Sequence, residues 1–265
     1  MSSIEYNKFA DQFDLSGRMA IVTGAGQGMG ESHARALAGC GAAVAVVDIN
    51  EEQANSVAEA IRNDGGSAKA FVCDITDYDQ VKATVDGAVK ALGDLTIMVN
   101  NVGWNVSHAF IDSTPESWQR LIALNYTGML NNVHCALPHL VKQNYGKIVN
   151  ISSDGARVGA KGEAVYDGLK AGVSTFMKSM VREHARHNIT FNTVCPGVTN
   201  TPLLQDIMKE EVGKDIIARM VKAVPMRRPA EPYEVSGAVV FLSSAASDFV
   251  QGQNISASGG LTMMG

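Results

Sequence analysis

Short apolar runs alternate along the chain with longer segments in which apolar residues recur at helical spacing. The apolar runs are continuous and rich in β-branched residues, which is typical of strands buried on both faces. They predict strands at 19–23, 42–48, 68–74, 95–100, 147–152, 189–194 and 254–258. The other segments predict helices at 28–39, 51–63, 77–92, 116–143, 162–187 and 231–245. This alternation predicts an α/β fold with a doubly wound parallel sheet and helices on both faces.

The whole chain, residues 1–265, is predicted to form one domain. It is 265 residues long and 46% hydrophobic, enough for a substantial core, and no linker rich in Pro, Gly or Ser divides it. The least regular segment is 197–229, between the sixth predicted strand and the last predicted helix. Because a long connection at the carboxyl end of a parallel sheet lies beside the ligand site of such folds, we predict that this segment is a substrate lid.

The charge pattern indicates a small-molecule partner. The net charge is −5 and acidic and basic residues are interspersed, so the sequence predicts neither nucleic-acid binding nor attraction to an anionic membrane. No apolar run reaches the ~18 residues that would span a bilayer, and the first residues lack a basic-then-apolar signal. We therefore expect a cytoplasmic protein.

The cysteines and histidines do not show the spacing of a metal site. The four cysteines are far apart, which indicates reduced thiols; they are Cys40, Cys73, Cys135 and Cys195. His184 and His187 lie about one helical turn apart, but without a third ligand a solvated helix end is the better interpretation. We predict no metal.

The sequence TGAGQGMG, residues 23–30, follows the first predicted strand and opens a predicted helix. Glycines in this position let the backbone approach a pyrophosphate, which then meets the free N–H groups at the start of the helix. The alternative is a tight turn with a purely structural role. The cofactor-binding residues predicted in this loop are Thr23, Gly24, Gln27, Gly28, Met29 and Gly30.

Asp48 ends the second predicted strand, where a carboxylate can accept hydrogen bonds from the ribose hydroxyls of a dinucleotide. The alternative is that Asp48 caps the helix that starts near Glu51. A 2′-phosphate would be repelled by this carboxylate, and its neighbours Gln27, Ile49 and Asn50 are neutral. The sequence therefore predicts NAD over NADP, with Ile49 also at the cofactor.

Together with the loop, a series of motifs resembles the short-chain dehydrogenase/reductase family over essentially the whole chain. These motifs are Asp74, NNVG at 100–103, Asn125, Ser153, Tyr166, Lys170, PG at 196–197 and Thr201. The resemblance implies a Rossmann fold with strand order 3-2-1-4-5-6-7. It also implies a homotetramer in which the helices 116–143 and 162–187 pair across two-fold axes. Val102 departs from the family, which usually has alanine there.

The resemblance also implies the catalytic set Asn125, Ser153, Tyr166 and Lys170. An ammonium about 4 Å from a phenol, at an effective dielectric constant of ~20, would lower the phenol pKa by up to ~3 units, so we expect Tyr166 to be a base near neutral pH. Ser153 would hold the substrate oxygen; Ser152 is the neighbour that must be weighed against it. Asn125 would hold a water with its backbone carbonyl, and the alternative is a mid-helix asparagine bonded to a neighbouring strand.

Further cofactor contacts are implied by the same resemblance. Asp74 and Ile75 would border the adenine, and Asn101 and Gly103 would line the cofactor after the fourth strand. The contacts near the nicotinamide would come from Pro196, Gly197, Val198 and Thr201. Asp74 has an alternative role, which is to cap the turn before Thr76.

An apolar substrate is predicted from residues expected around the cleft. These are Trp104, Leu203, Leu204, Ile207 and Met208, joined by Ser153 and Gly155 near the reacting oxygen. The alternative role for Trp104 is packing within its loop. The stretches SSDGARVGAKGEAVY, EHARH and SGGLTMMG are similar to 2-hydroxycyclohexanecarboxyl-CoA dehydrogenases, which favours an alicyclic alcohol more than a CoA thioester.

The predicted function is an NAD-dependent oxidoreductase that interconverts a secondary, alicyclic or otherwise apolar alcohol and its ketone. One alternative is a 3-oxoacyl-thioester reductase that uses NADPH. An alternative from a different class is a non-catalytic NAD(H)-binding sensor.

Overall fold

The computed structural model describes residues 9–263 and shows one sheet of seven parallel strands in that range. The strands are β1 (Met19–Thr23), β2 (Ala43–Asp48), β3 (Ser67–Val72), β4 (Leu95–Asn100), β5 (Gly146–Ile151), β6 (Ile189–Pro196) and β7 (Asn254–Ala257). Their order across the sheet is β3-β2-β1-β4-β5-β6-β7. The predicted α/β class, parallel sheet and strand order are therefore confirmed.

Helices cover both faces of this sheet. They are α1 (Gly28–Gly39), α2 (Glu51–Asn63), α3 (Tyr78–Leu92), α4 (Pro115–Ile122), α5 (Gly128–Gln143), α6 (Ala164–His184), α7 (Pro202–Ile207), α8 (Glu211–Ala223) and α9 (Pro232–Ser243). Short 3₁₀ turns occur at Ala10–Phe13, Phe110–Asp112, Gly155–Arg157, Ala185–His187 and Ala245–Ser247.

The structure differs from the predicted helices in two places. The predicted helix 116–143 is divided into α4 and α5 by a π-type turn at Ala123–Thr127. The predicted irregular segment 197–229 contains two helices, α7 and α8.

Two apolar layers hold the helices on the sheet. In β1, Ala20 and Val22 point into the layer that contains α1, α2 and α9, whereas Met19 and Ile21 point into the layer that contains α3, α5 and α6. All four side chains are at most 1% exposed. Because successive residues of a strand point to opposite faces, burial of both faces requires the continuous apolar run seen in the sequence.

Side-chain caps fix where helices begin at the carboxyl ends of the strands. The Asn50 side chain accepts from the Gln53 N–H at 3.1 Å and starts α2. The Asp77 side chain accepts from the Asp79 and Gln80 N–H groups and starts α3. These short connections leave the carboxyl edge of β1 and β4 open, where the strand order reverses and a cleft forms.

Within residues 9–263, no helix combines the length and the apolar character needed to cross a membrane.

Candidate active site

The loop between β1 and α1 forms one wall of the cleft. Gly24 and Gly28 have positive φ angles of 62° and 61°, which glycine adopts without strain. At Gly30 a Cβ atom would lie 1.9 Å from the Gly24 carbonyl oxygen, so glycine allows the first turn of α1 to pack against the loop. The start of α1 therefore lines the cleft, where its free N–H groups favour an anion.

Asp48, at the end of β2, is held by two backbone N–H groups. Its Oδ2 accepts from the Gly26 nitrogen at 2.8 Å, and its Oδ1 accepts from the Asn50 nitrogen at 3.0 Å. The helix cap of α2 is Asn50, so the alternative role of Asp48 as that cap is wrong. The Asp48 carboxylate lines the cleft next to the glycine-rich loop.

The cleft has a volume of about 450 Å³, which is within the usual range of small-molecule sites. The predicted cofactor residues that line it are Gly24, Gln27, Gly28, Met29, Gly30, Asp48, Ile49, Asp74, Ile75, Asn101, Gly103, Tyr166, Lys170 and Thr201. Two predicted substrate residues, Trp104 and Leu203, also line it. Its lining adds residues that were not predicted, namely Val47, Cys73, Val102, Asn105, Leu124, Ile151, Ser152 and Pro202.

Other predicted site residues do not line this cleft. They are Thr23, Asn125, Ser153, Gly155, Pro196, Gly197, Val198, Leu204, Ile207 and Met208. Thr23 and Asn125 line a small cavity that adjoins it. Gly197 packs against the chain after β7, since a Cβ there would lie 2.9 Å from the Ser258 Cα.

The predicted apolar substrate wall is smaller than expected. Leu203 reaches the cleft together with Pro202, but Leu204 is only 8% exposed and is packed away from the cleft. Ile207 and Met208 are 43% and 41% exposed and lie outside the cleft lining. The apolar character of these residues was visible in the sequence, but the direction of their side chains was not.

Asp74 has the alternative role considered for it, the cap of the turn before Thr76. Its Oδ1 accepts from the Thr76 nitrogen at 2.9 Å and from the Thr76 hydroxyl at 2.8 Å, so it caps the turn. Asp74 also lines the cleft, next to Ile75.

The Ser153 hydroxyl lies close enough to the phenol of Tyr166 to lower its pKa. Ser153 follows the end of β5, whereas Tyr166 and Lys170 lie one turn apart on α6. Ser152 is turned elsewhere, because its hydroxyl donates to the Lys170 carbonyl at 2.9 Å. Of the two serines, Ser153 is therefore the one that faces the phenol.

Lys170 is buried and Tyr166 is partly buried, and loss of hydration shifts both pKa values. The Lys170 ammonium donates to the Ile151 carbonyl at 3.0 Å and lies 5.7 Å from the Tyr166 ring centroid. Burial lowers the pKa of Lys170 to about 8. Burial also raises the pKa of Tyr166, and the carboxylates of Glu163 and Asp167 raise it further because they disfavour a phenolate.

The lysine was expected to lower the pKa of Tyr166, with burial opposing part of this shift and a bound nicotinamide adding to it; among the groups of the chain itself, burial and the two carboxylates prevail and raise it. The ammonium is bound to a backbone carbonyl, while desolvation and two carboxylates act on the phenol in the opposite direction. The spacing of tyrosine and lysine on a helix does not reveal either effect.

Asn125 lies in the π-type turn between α4 and α5 and is 2% exposed. Its side chain accepts from the Trp104 nitrogen at 3.2 Å and donates to the Trp104 carbonyl at 2.8 Å. It also donates to the Leu121 carbonyl of its own helix. The side chain thus bonds a loop and its own helix, not a neighbouring strand, and it fixes the backbone of Trp104 at the cleft.

Trp104 is held from a second side by Arg120, whose guanidinium lies 4.2 Å from the ring centroid of the indole. Trp104 therefore has both roles considered for it: it packs in the loop and it lines the cleft.

Three polar residues near Tyr166 were not predicted. Glu163 and Asp167 lie close enough to the phenol to raise its pKa, and Asn105 lies close enough to Glu163 to lower the pKa of that carboxyl. Glu163 lies three residues before Tyr166 and Asp167 lies one residue after it, so these positions could have indicated that both are close to the phenol. Asn105 had no comparable signal beyond its place after Trp104.

The residues of the cleft fit a dinucleotide. Gly24, Gly28 and Gly30 of the glycine-rich loop line the cleft, and Asp48 presents acceptors suited to ribose hydroxyls. Of the side chains in the described part that line the cleft, Lys170 is the only lysine or arginine.

No group of three or more His, Cys, Asp or Glu side chains in residues 9–263 could hold a metal ion. The rings of His184 and His187 lie 5.6 Å apart between centroids. The four cysteines are free; Cys73, Cys135 and Cys195 are buried and Cys40 is partly buried.

Comparison with known proteins gives a match over nearly the whole chain. The sequence model of the family described as enoyl-(acyl carrier protein) reductase matches residues 24–262. A 3-oxoacyl-(acyl-carrier-protein) reductase of Thermotoga maritima is 32% identical over 249 residues, which cover 94% of this chain and 99% of that protein. A 2,5-dichloro-2,5-cyclohexadiene-1,4-diol dehydrogenase of Sphingobium indicum is 31% identical over 246 residues, with 93% and 96% covered.

A solved structure agrees with these relatives. The crystal structure of a gluconate 5-dehydrogenase from Burkholderia cenocepacia, in complex with NADP and tartrate, superimposes with a TM-score of 0.88. The two sequences are 35% identical, and the match covers 95% of this chain and 97% of the other.

Proposed function

Because the chain belongs to the short-chain dehydrogenase/reductase family of oxidoreductases, we propose that it transfers hydride reversibly between a secondary alcohol and its ketone with NAD as cofactor. The observation that supports this most directly is the proximity of Ser153 to the Tyr166 phenol, with Lys170 one turn along α6, beside a cleft lined by the glycine-rich loop. When bound, the dinucleotide supplies the ring that exchanges the hydride.

The side chains of this site can donate and accept the proton that accompanies hydride transfer. In ketone reduction, Tyr166 donates its proton to the substrate oxygen while the Ser153 hydroxyl holds the same oxygen. Because burial and two carboxylates raise the pKa of Tyr166, the phenol is protonated at neutral pH, which suits this direction. In alcohol oxidation the proton moves the opposite way, and Tyr166 must then act as a phenolate, which its raised pKa disfavours at neutral pH.

Asp48 supports NAD as the cofactor. A 2′-phosphate would meet this carboxylate, and Lys170, the only cationic side chain in the described cleft lining, is bonded to Ile151 near the phenol. The NADP in the gluconate 5-dehydrogenase structure makes cofactor preference the first property to measure.

The apolar part of the cleft lining supports an apolar, alicyclic substrate body. Its members include Trp104, Leu124, Pro202 and Leu203. The Sphingobium relative that is named for a cyclohexadiene diol is consistent with this choice. The likeness to 2-hydroxycyclohexanecarboxyl-CoA dehydrogenases stays a prediction; the last two residues of its SGGLTMMG motif lie outside the described range.

The second candidate is a 3-oxoacyl-thioester reductase that uses NADPH. It is favoured by the Thermotoga relative and by the description of the matching family model, and it is opposed by Asp48. An assay of NAD⁺ and NADP⁺ with cyclic alcohols and hydroxyacyl-CoA thioesters separates the two candidates. A sensor without catalysis would bind NADH tightly but turn over none of these compounds.

Tyr166→Phe tests the proposed chemistry. Since positioned proton transfer contributes about 10²–10⁴-fold, kcat should fall by at least about a hundredfold. NADH binding, followed by fluorescence, should be retained. Tyr233→Phe is the matched control, because Tyr233 is 69% exposed on α9. A Tyr166→Phe enzyme that kept more than about a tenth of the wild-type rate would refute the role of the phenol.

Four further properties stay predictions. We propose a homotetramer that pairs the helical regions 116–143 and 162–187, which light scattering would test. We also propose a cytoplasmic location, a substrate lid in segment 197–229, and no nucleic-acid or membrane partner.

A further inference from the structure

A second, smaller cavity adjoins the cleft at the phenol. Asn105 and Tyr166 line both spaces. The smaller one has a volume of about 10 Å³, enough for one group the size of a water molecule. Glu163 also lines it, at the residue before the first turn of α6. A polar group beside the reacting oxygen would therefore meet Asn105 and Glu163.

Polar side chains near this cavity have hydrogen-bond acceptors that lack a donor. Asn105 lies close enough to Glu163 to lower the pKa of that carboxyl, while the Asn105 Oδ1 is buried and has no partner among the described residues. The carboxylate of Asp167, which is 6% exposed, accepts from the Ala160 nitrogen at 2.7 Å through Oδ2. Its Oδ1 is buried and has no partner in residues 9–263.

The unpartnered Asp167 oxygen lies next to the catalytic serine. A Cβ atom placed on Gly155 would be 3.1 Å from the Asp167 Oδ1 and 3.4 Å from the Ser153 Oγ. Acceptors near Tyr166 therefore come from Asn105 and Glu163, which line the smaller cavity, and from Asp167, which lies near Ser153. Since a buried acceptor without a donor is unfavourable, this arrangement favours a ligand that brings hydroxyl hydrogens.

We infer that Asn105 and Glu163 bind a second hydroxyl of a neutral substrate, on the carbon next to the reacting carbon. The substrate class is then a vicinal diol in the oxidation direction and an α-hydroxy ketone in the reduction direction. This inference rests on the proposed function. The second hydroxyl donates to the acceptors beside Tyr166, while the reacting oxygen is held by Ser153 and Tyr166.

The same residues exclude an anionic substrate. A carboxylate next to the reacting carbon would face Glu163 and Asp167, which carry the same charge. Lys170 is bonded to the Ile151 carbonyl, and Arg120 stacks on Trp104. A sugar acid would therefore lose affinity where a neutral diol gains a hydrogen bond.

The test compares cyclohexane-1,2-diol with cyclohexanol, which has the same ring but one hydroxyl. In the wild type, kcat/KM should be at least about tenfold higher for the diol, as expected for a hydrogen bond to a charged group. In Glu163→Gln this ratio should fall about tenfold or more, and Asn105→Ala should lower it in the same direction.

The control is Glu183→Gln, the same change on the same helix at a side chain that is 63% exposed; its ratio should equal that of the wild type. Thermal unfolding and NADH binding show that each variant is folded. A wild-type ratio near one, a ratio unaltered in Glu163→Gln, or D-gluconate oxidised as efficiently as the diol would overturn the inference. Failure to turn over either cyclic alcohol would overturn the proposed function and this inference with it.

Discussion

Asp48→Asn should change the cofactor preference of this protein. The substitution keeps the shape of the side chain and removes its charge at the point where the ribose is proposed to bind. The ratio of kcat/KM with NAD⁺ to kcat/KM with NADP⁺ is the quantity to measure, because it cancels effects on the chemistry that both cofactors share. We expect this ratio to fall about a hundredfold.

The magnitude follows from two contributions. Unit charges about 5 Å apart, at an effective dielectric constant of ~40, repel by roughly 1.7 kcal/mol, and a 2′-phosphate carries nearly two charges. A Debye length of about 8 Å at physiological ionic strength reduces this by roughly half, to ~1.7 kcal/mol. Loss of charge also weakens the hydrogen bonds to the ribose hydroxyls of NAD⁺ by about 1 kcal/mol. The sum of roughly 2.7 kcal/mol corresponds to about a hundredfold.

The variant should remain folded. An amide has one acceptor oxygen for the two N–H groups that Asp48 binds, at Gly26 and Asn50. The amide oxygen should stay bonded to the Gly26 N–H, which is partly buried, whereas the Asn50 N–H is exposed and can bind water. We therefore expect a loss of at most about 1 kcal/mol in the free energy of unfolding.

Asp74→Asn is the matched control, since Asp74 lines the same cleft but lies beyond β3, on the proposed adenine side. Its cofactor ratio should stay within about threefold of the wild type. If Asp48→Asn shifted the ratio no more than Asp74→Asn, or if the wild type preferred NADP⁺, the argument from the Asp48 carboxylate would be wrong.

Two other predictions concern the glycine-rich loop and the buried lysine. Gly30→Ala should weaken NADH binding at least about tenfold in a fluorescence titration, because its Cβ would lie 1.9 Å from the Gly24 carbonyl oxygen. Gly39→Ala, on the same helix with nothing within 4 Å, should bind like the wild type; equal binding by both variants would contradict the close approach. Burial lowers the pKa of Lys170 from 10.5 to about 8, so between these values the unfolded chain binds a proton that the folded protein lacks, and stability rises with pH. As the pH falls from 10.5 to 8, the free energy of unfolding of Lys170→Met should therefore rise by up to about 3 kcal/mol relative to that of the wild type. Urea unfolding that gave the same difference between the two proteins throughout this range would contradict the prediction.

The fold could be predicted because both faces of the sheet are buried. Apolar runs such as Met19–Thr23 have no polar alternation, which distinguishes strands between two helical layers. The division at Ala123–Thr127 could not be predicted in the same way, since the helical period continues through it. It depends on the Asn125 side chain bonding the Trp104 backbone, a contact between residues far apart in sequence.

The site was predictable to the extent that strand ends and helical spacing determine it. Asp48 ends a strand, and Tyr166 and Lys170 lie one turn apart on a helix, so their convergence at one edge follows from the topology. The lining of the substrate region was not predictable, because the apolar character of Ile207 and Met208 is the same whether they face the cleft or solvent. Asn105 was missed because its importance lies in an unpartnered oxygen.

The charge state of the site depends on burial more than on the pairing of tyrosine with lysine. Desolvation favours the neutral form of each, so it raises the pKa of Tyr166 and lowers that of Lys170. The same carboxylates that are proposed to recognise a second hydroxyl, with Glu163 foremost, also keep the phenol protonated. Substrate recognition and proton donation therefore depend on the same charged groups. A substitution that neutralises Glu163 must alter the acidity of Tyr166 as well as the hydrogen bond to the substrate. For this reason the ratio between two alcohols, and not the rate with either one, distinguishes binding from acidity.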